Sequence, residues 1–129
     1  MSSTDAATDP LRQALHLQTE AAAQGFDWPQ IGPVIDKLEE ELAELRAEIQ
    51  APKRDPQRLQ EELGDLLFSV VNLARHLQLA PDQALAAGNA KFAARFAQVM
   101  AAAEQLPALG DPRRLDAMEA RWLAAKAAE

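Results

Sequence analysis

The sequence predicts an all-α fold, a helical bundle of about five helices. Alanine dominates an apolar fraction of 48%, and alanine is the strongest helix former because it loses no side-chain entropy. β-branched residues are scarce and tyrosine is absent. No segment alternates apolar and polar residues over the length of a strand. The 129 residues suit one domain, expected over residues 10–129, preceded by a disordered tail over residues 1–9.

The elements follow from punctuation and apolar spacing. A first helix is expected from Pro10 to about Gln24, stopped by Gly25 at the position where helices end on glycine. The loop Gly25-Phe26-Asp27-Trp28-Pro29 is aromatic for an exposed break, and its rings read as a staple against the bundle. A second helix spans residues 33–50, with Leu38, Leu42, Leu45 and Ile49 as its apolar stripe. Pro52 and Pro56 then force a turn.

A third helix is expected over residues 57–79, burying Leu63, Leu66, Leu67, Val70, Val71, Ala74 and Leu77. Pro81 opens a fourth, which runs to about Gln105 with Phe92, Phe96 and Val99 turned inward. Asp111-Pro112 reads as the N-cap and first residue of a last helix ending near Ala128. Small alanine-rich helices fill a core thinly, so a second copy of the chain is the expected remedy.

Charge narrows the function. The net charge of −7 disfavours a nucleic-acid binder, which needs a basic face, and favours a protein that collects cations. Cysteine is absent, so neither disulfides nor thiolate metal sites arise. No apolar run approaches a membrane span and no leader pattern opens the chain, so a cytoplasmic protein is expected.

The acidic residues carry the chemistry. Glu41 and Glu44 lie three apart on the second helix, as do Glu62 and Asp65 on the third, so each pair occupies one helix face. The proline turn between them lets the two helices fold back and bring all four carboxylates together. Glu62, Asp65, Ser69, Asn72 and His76 form a polar stripe at spacings of three and four along an otherwise core-like helix. Two carboxylates about 5 Å apart repel by roughly 3 kcal/mol at an effective dielectric near 20. Such a set calls for a bound cation, and hard oxygen donors suit Mg²⁺ or Mn²⁺.

These segments resemble those of the MazG nucleotide pyrophosphohydrolases. The stretch from Lys37 to Leu45, with Glu41 and Glu44, followed by Glu61-Glu62-Leu-Gly-Asp65, is similar to that family's ExxE and ExxD signature. Gly25 to Trp28, Val71 to Leu77, Asn89 to Phe96 and Met118 to Lys126 resemble it too, in the same order. The likeness is to the C-terminal, catalytic module of the two-module bacterial proteins. It implies Mg²⁺-dependent hydrolysis of (deoxy)nucleoside triphosphates to monophosphate and pyrophosphate, by metal-activated water attack at the α-phosphorus. It further implies an α-helical oligomer, a homodimer or a tetramer, with Glu41, Glu44, Glu62 and Asp65 as metal ligands and catalytic centre.

Downstream residues complete the expected site. Lys91 and Arg95 are four apart on one face, a clamp for phosphate oxygens, and Arg58 stands one turn before Glu62. Trp122 offers a flat surface on which a base can stack, with Lys126 on the same face. Asn72 is placed to contact the nucleoside at a ribose hydroxyl or else to support a ligand. Phe26 and Trp28, besides the staple reading, are open to a place in the same pocket across a subunit boundary. His16 and His76 read as surface or packing residues. A di-iron carboxylate bundle requires Glu-x-x-His pairs, and the positions three before His16 and His76 hold Gln13 and Leu73. A catalytically silent nucleotide binder or a helical scaffold is the alternative; the scaffold leaves the basic and aromatic pairs unexplained, and the four acidic ligand positions speak against a loss of catalysis.

Overall fold

A computed structural model describes residues 9–129. Of the tail expected over residues 1–9, residues 1–8 lie outside the described residues, and Asp9 belongs instead to the start of the first helix. All regular structure among the described residues is helical, in two compact units that meet in sequence at Ala84 and Leu85. None of these helices is long and apolar enough to cross a membrane.

The first unit holds α1 (Pro10–Ala23), α2 (Ile31–Gln50) and α3 (Pro56–His76). Asp9 caps α1 by accepting from the Leu11 amide at 3.0 Å, with Pro10 in the first helical position. At the other end Gly25 takes φ +90°, the Phe26 amide donates to the Ala21 carbonyl, and the Gly25 amide to Ala22. This glycine-terminated double bond fixes the direction in which Phe26, Asp27 and Trp28 leave the helix.

α2 starts at Ile31, two residues before the expected Pro33. Proline is tolerated there because first-turn amides have no intrahelical acceptor to lose. α3 starts on Pro56 with Asp55 as its cap, and it stops at His76 rather than Leu79. The stop uses the same two-bond pattern as α1, Leu79 to Ala74 and Gln78 to Arg75, with Gln78 in the left-handed region at φ +59°. Without a glycine there, the sequence carries no mark of it.

α2 and α3 form a tight hairpin and α1 packs on α3, around fully buried Val34 and Val71. Many residues expected inside lie outside. Leu63, Leu67 and Val70 on α3 and Leu77 just past its end are half exposed, as are Leu42 and Ile49 on α2. The cause is geometric: apolar residues surround more of α3 than two neighbouring helices can cover.

The second unit, from Leu85 on, holds all but the first turn of α4 and the whole of α5. α4 (Pro81–Met100) ends five residues before the expected Gln105. Ala102 enters the left-handed region at φ +53° and a single 3₁₀ turn, Ala103–Gln105, follows. Arg121 explains the stop, since its guanidinium donates to the Val99 carbonyl at 2.8 Å and to Ala101 at 2.7 Å. Those are helix-end carbonyls that otherwise lack donors. α5 (Arg113–Ala127) begins one residue later than expected, with Pro112 as the boundary and the Asp111 carboxylate accepting from the Arg113 amide at 2.9 Å. Val99, Leu106 and Ala125 are buried, whereas Phe92 and Phe96, expected inward, are 57% and 40% exposed. Phe92 instead packs against Trp122, with ring centroids 5.3 Å apart.

Candidate active site

The proline turn brings the two carboxylate pairs together. One oxygen each from Glu41, Glu62 and Asp65 lies within 4.8 Å of the others. Glu44 joins them, and its pKa is raised, first by repulsion from Glu41, then by burial and by the nearby Glu62 carboxylate. All four sequence-expected carboxylates therefore sit in one patch of the first unit.

Their surroundings are graded. Glu41 is 6% exposed, Glu62 is half-buried, and Asp65 faces outward. Lys37, one turn before Glu41 on α2, reaches its Oε1 at 3.1 Å, and the ammonium pKa is raised, chiefly by this bond. Glu41 Oε2 and Glu62 Oε2 are buried without a hydrogen-bond partner. Buried charged oxygens in that condition are strongly destabilising unless a cation satisfies them. The donor set is oxygen only, which suits a hard divalent ion. By this test the residues fit Mg²⁺ or Mn²⁺.

Around the far end of α3 lies a second polar assembly. Asp27 receives Arg75 through two bonds of 3.0 and 2.6 Å and also meets His76 Nε2 at 2.9 Å. These partners, the Arg75 bond foremost, hold the Asp27 pKa at about 2. Asn72 Oδ1 accepts from the same guanidinium at 3.2 and 2.9 Å. The aromatic loop is thus pinned by its aspartate and not by its rings, because Phe26 is 84% exposed and Trp28 49%. This corrects the expected staple, and it gives His76 a defined role as an anchor.

The remaining expected residues fall elsewhere. Arg58 donates to Glu48 Oε1 at 2.9 Å on the outer surface. In the second unit Arg95 is held by Glu129 at 2.6 and 2.8 Å, and its guanidinium lies 5.5 Å from the centre of the Trp122 ring. Lys91 and Lys126 contribute to the field that lowers the Glu129 pKa, after the Arg95 bond.

Four residues here escaped the sequence reading. Lys37 was visible as a lysine four before Glu41. Arg75 and Asp27 lie far apart in sequence and gave no joint signal. Gln18 had one: it is the polar member of the inward stripe Leu11, Ala14, Leu15, Ala21 and Ala22 on α1, and it is buried.

A helical hairpin that gathers four carboxylates, two with unpartnered buried oxygens, defines an all-α protein with an acidic, cation-suited centre. The chain belongs to the MazG family: residues 33–100, more than half of it, match the MazG nucleotide pyrophosphohydrolase domain. It is 42% identical over 121 residues to the nucleoside triphosphate pyrophosphohydrolase of Escherichia coli (strain K12), covering 92% of this chain and 45% of that protein. It is 37% identical over 116 residues to the nucleoside triphosphate pyrophosphohydrolase/pyrophosphatase MazG of Thermotoga maritima, covering 90% of this chain and 44% of that one. The chain therefore spans less than half the length of these relatives.

Proposed function

We propose that this protein is a Mg²⁺-dependent pyrophosphohydrolase that converts (deoxy)nucleoside triphosphates to the monophosphate and pyrophosphate in the cytoplasm. The observation that carries this reading is the pair of buried, unpartnered oxygens of Glu41 and Glu62 beside Asp65. The names of the two relatives support the substrate class.

Glu41, Glu44, Glu62 and Asp65 would hold the ion, which when bound neutralises phosphate oxygens and makes the attacking water more acidic. Lys37 fixes Glu41 by one oxygen and leaves the other for the ion. In the reaction a water oxygen bonds to the α-phosphorus and the bond to the bridging oxygen breaks. Pyrophosphate leaves with that electron pair, and the water's proton passes to the surrounding carboxylates. Lys91, Arg95 and Arg58 bind phosphate oxygens as fixed cations. Trp122, Lys126 and Asn72 contact the nucleoside.

The protein works as a homodimer or tetramer. Ile35, Leu42 and Ile49 recur every seven residues on α2, and Leu63, Leu67 and Val70 at intervals of four and three on α3, all at least 40% exposed. Apolar stripes of this kind are buried by another helix in stable proteins.

The deciding experiment incubates the protein with Mg²⁺ and a panel of canonical and modified (d)NTPs and identifies both products. Monophosphate and pyrophosphate in equal amounts are expected. Orthophosphate alone would place the cleavage at another bond, and no turnover across the panel would leave a helical scaffold.

A further inference from the structure

We infer that the outward face of α2 is a two-fold interface, on which a second copy of this chain lays its own α2 antiparallel, with the axis between Leu42 and Ala43. The inference rests on the self-association proposed above and adds the face, the direction and the register. Ile35, Glu39, Leu42, Arg46 and Ile49 follow one another at steps of four and three, the spacing of a coiled-coil seam. Glu39 and Arg46 are exposed, and Ile35, Leu42 and Ile49 are 40%, 49% and 43% exposed. At about 3.6 residues per turn, Leu42 is turned roughly 100° from Glu41. The seam is therefore not the face that carries the carboxylates.

The seam is complementary to itself. In a two-fold interface residues equally far from the axis, on opposite sides, meet each other. Glu39 and Arg46 each lie roughly 5 Å from the axis along the helix, so Glu39 of one copy faces Arg46 of the other. Ile35 and Ile49 lie roughly 11 and 10 Å to either side, so they come almost level. At the centre is an open groove of about 400 Å³ whose walls include Glu39, Leu42, Ala43 and Arg46. Residues at that spacing form the hole that receives one side chain of a facing helix. The small side chains of Ala43 and Ala47 leave it unfilled, and Leu42 of the second copy stands opposite it.

The charges supply the independent argument. Among the described residues, every arginine except Arg46 donates to a carboxylate or to a backbone carbonyl. Arg46 has no such partner within the chain, and Glu39 has no ion pair. One cation and one anion are thus left over, at equal distances on either side of an apolar centre. Antiparallel pairing joins them twice, once at each side of the axis, and flanking charges of this kind set the orientation of paired helices. Parallel pairing would instead set Glu39 against Glu39 and Arg46 against Arg46.

The test is a charge exchange read by sedimentation equilibrium. Glu39→Arg and Arg46→Glu each set like charges against each other on both sides of the axis, and each should weaken self-association by about ten-fold or more. The double variant restores opposite charges with the signs exchanged and should recover most of the loss. Helical circular dichroism should be unchanged in all three, because both side chains are exposed. The chain has no cysteine, so Leu42→Cys adds a single thiol, and mild oxidation should link two copies through it. Adding Glu39→Arg to that variant should suppress the link. If wild type associates and the single changes leave its constant as it was, the α2 seam is overturned and self-association stands on another face. Single changes that weaken association without rescue in the double variant overturn the antiparallel register. A wild-type chain that stays monomeric overturns self-association and the seam with it.

Discussion

Lys37 and Glu41 lie one turn apart on α2 and meet at 3.1 Å, so one oxygen of Glu41 is neutralised while the other stays buried without a partner. The lysine thus relieves half of the cost of burying Glu41 and leaves the rest for a cation.

Binding of that cation should appear as stability. A ligand that binds only the folded state at one hundred times its Kd adds about 2.7 kcal/mol. Thermal unfolding followed by circular dichroism should rise accordingly on adding Mg²⁺ and return on adding EDTA. Glu41→Gln should lose most of the increment. Equal stabilisation of both proteins would remove Glu41 from the ion's surroundings.

Glu62→Gln and Asp65→Asn test the chemistry more directly. Even outer-shell partners of a bound metal are worth about 10–100-fold, so losing a ligand should lower pyrophosphate release by more than about a hundred-fold. Helical circular dichroism should be unchanged, because Asp65 faces outward and Glu62 is only half-buried. Undiminished turnover in either variant would take that carboxylate out of the reaction.

The carboxylate centre is legible in the sequence because its geometry is local. Pairs three apart share a helix face, and a proline turn joins the two helices. What lay beyond local spacing was not legible. The Asp27–Arg75 bond joins residues from a loop and a distant helix end, and nothing in either segment announces the other. The helix stops at His76 and Met100 were hidden for another reason: Gln78 and Ala102 hold left-handed positions that usually select glycine. The burial expected for Leu63, Leu67 and Phe92 fails because periodicity says which residues share a face, not whether one chain supplies enough neighbours to cover it.

Asp27 gives a pH signature. Its folded pKa, about 2, lies below the ordinary 3.8, so its pairing stabilises the fold fully above pH 4 and the contribution is lost as pH falls through about 2. Its side chain is a quarter exposed, and solvent screening brings the contribution to on the order of 1–2 kcal/mol. Asp27→Asn should be destabilised by that amount at pH 7 in urea unfolding. The gap from wild type should close as pH drops from about 4 to about 2. A gap constant across that range would show that shape rather than charge anchors the loop.

Arg95 is held by Glu129, so a phosphate must displace that carboxylate to bind there. Partly exposed ion pairs contribute about 0.2–1 kcal/mol, which corresponds to roughly 1.5- to 5-fold in affinity. Glu129→Gln should tighten nucleotide binding by that factor, and Lys91→Ala should weaken nucleotide binding more than Mg²⁺ binding. Equal loss of both ligands in Lys91→Ala would assign the lysine a structural part only.

The apolar stripe on α3 makes the last prediction. Leu67 is 54% exposed and Val70 44%, so neither contributes much to the core of an isolated chain, and a charge at either position costs that chain little. In an oligomer that buries the stripe, the same charge would be desolvated without a partner, at several kcal/mol. Each 1.4 kcal/mol is ten-fold in the association constant, so Leu67→Glu should weaken self-association by a hundred-fold or more. Sedimentation equilibrium should therefore show wild type as a dimer or tetramer and Leu67→Glu shifted toward monomer, with helical content retained. A Leu67→Glu protein of unchanged mass would mean that the α3 stripe stays in water and that any assembly uses another face.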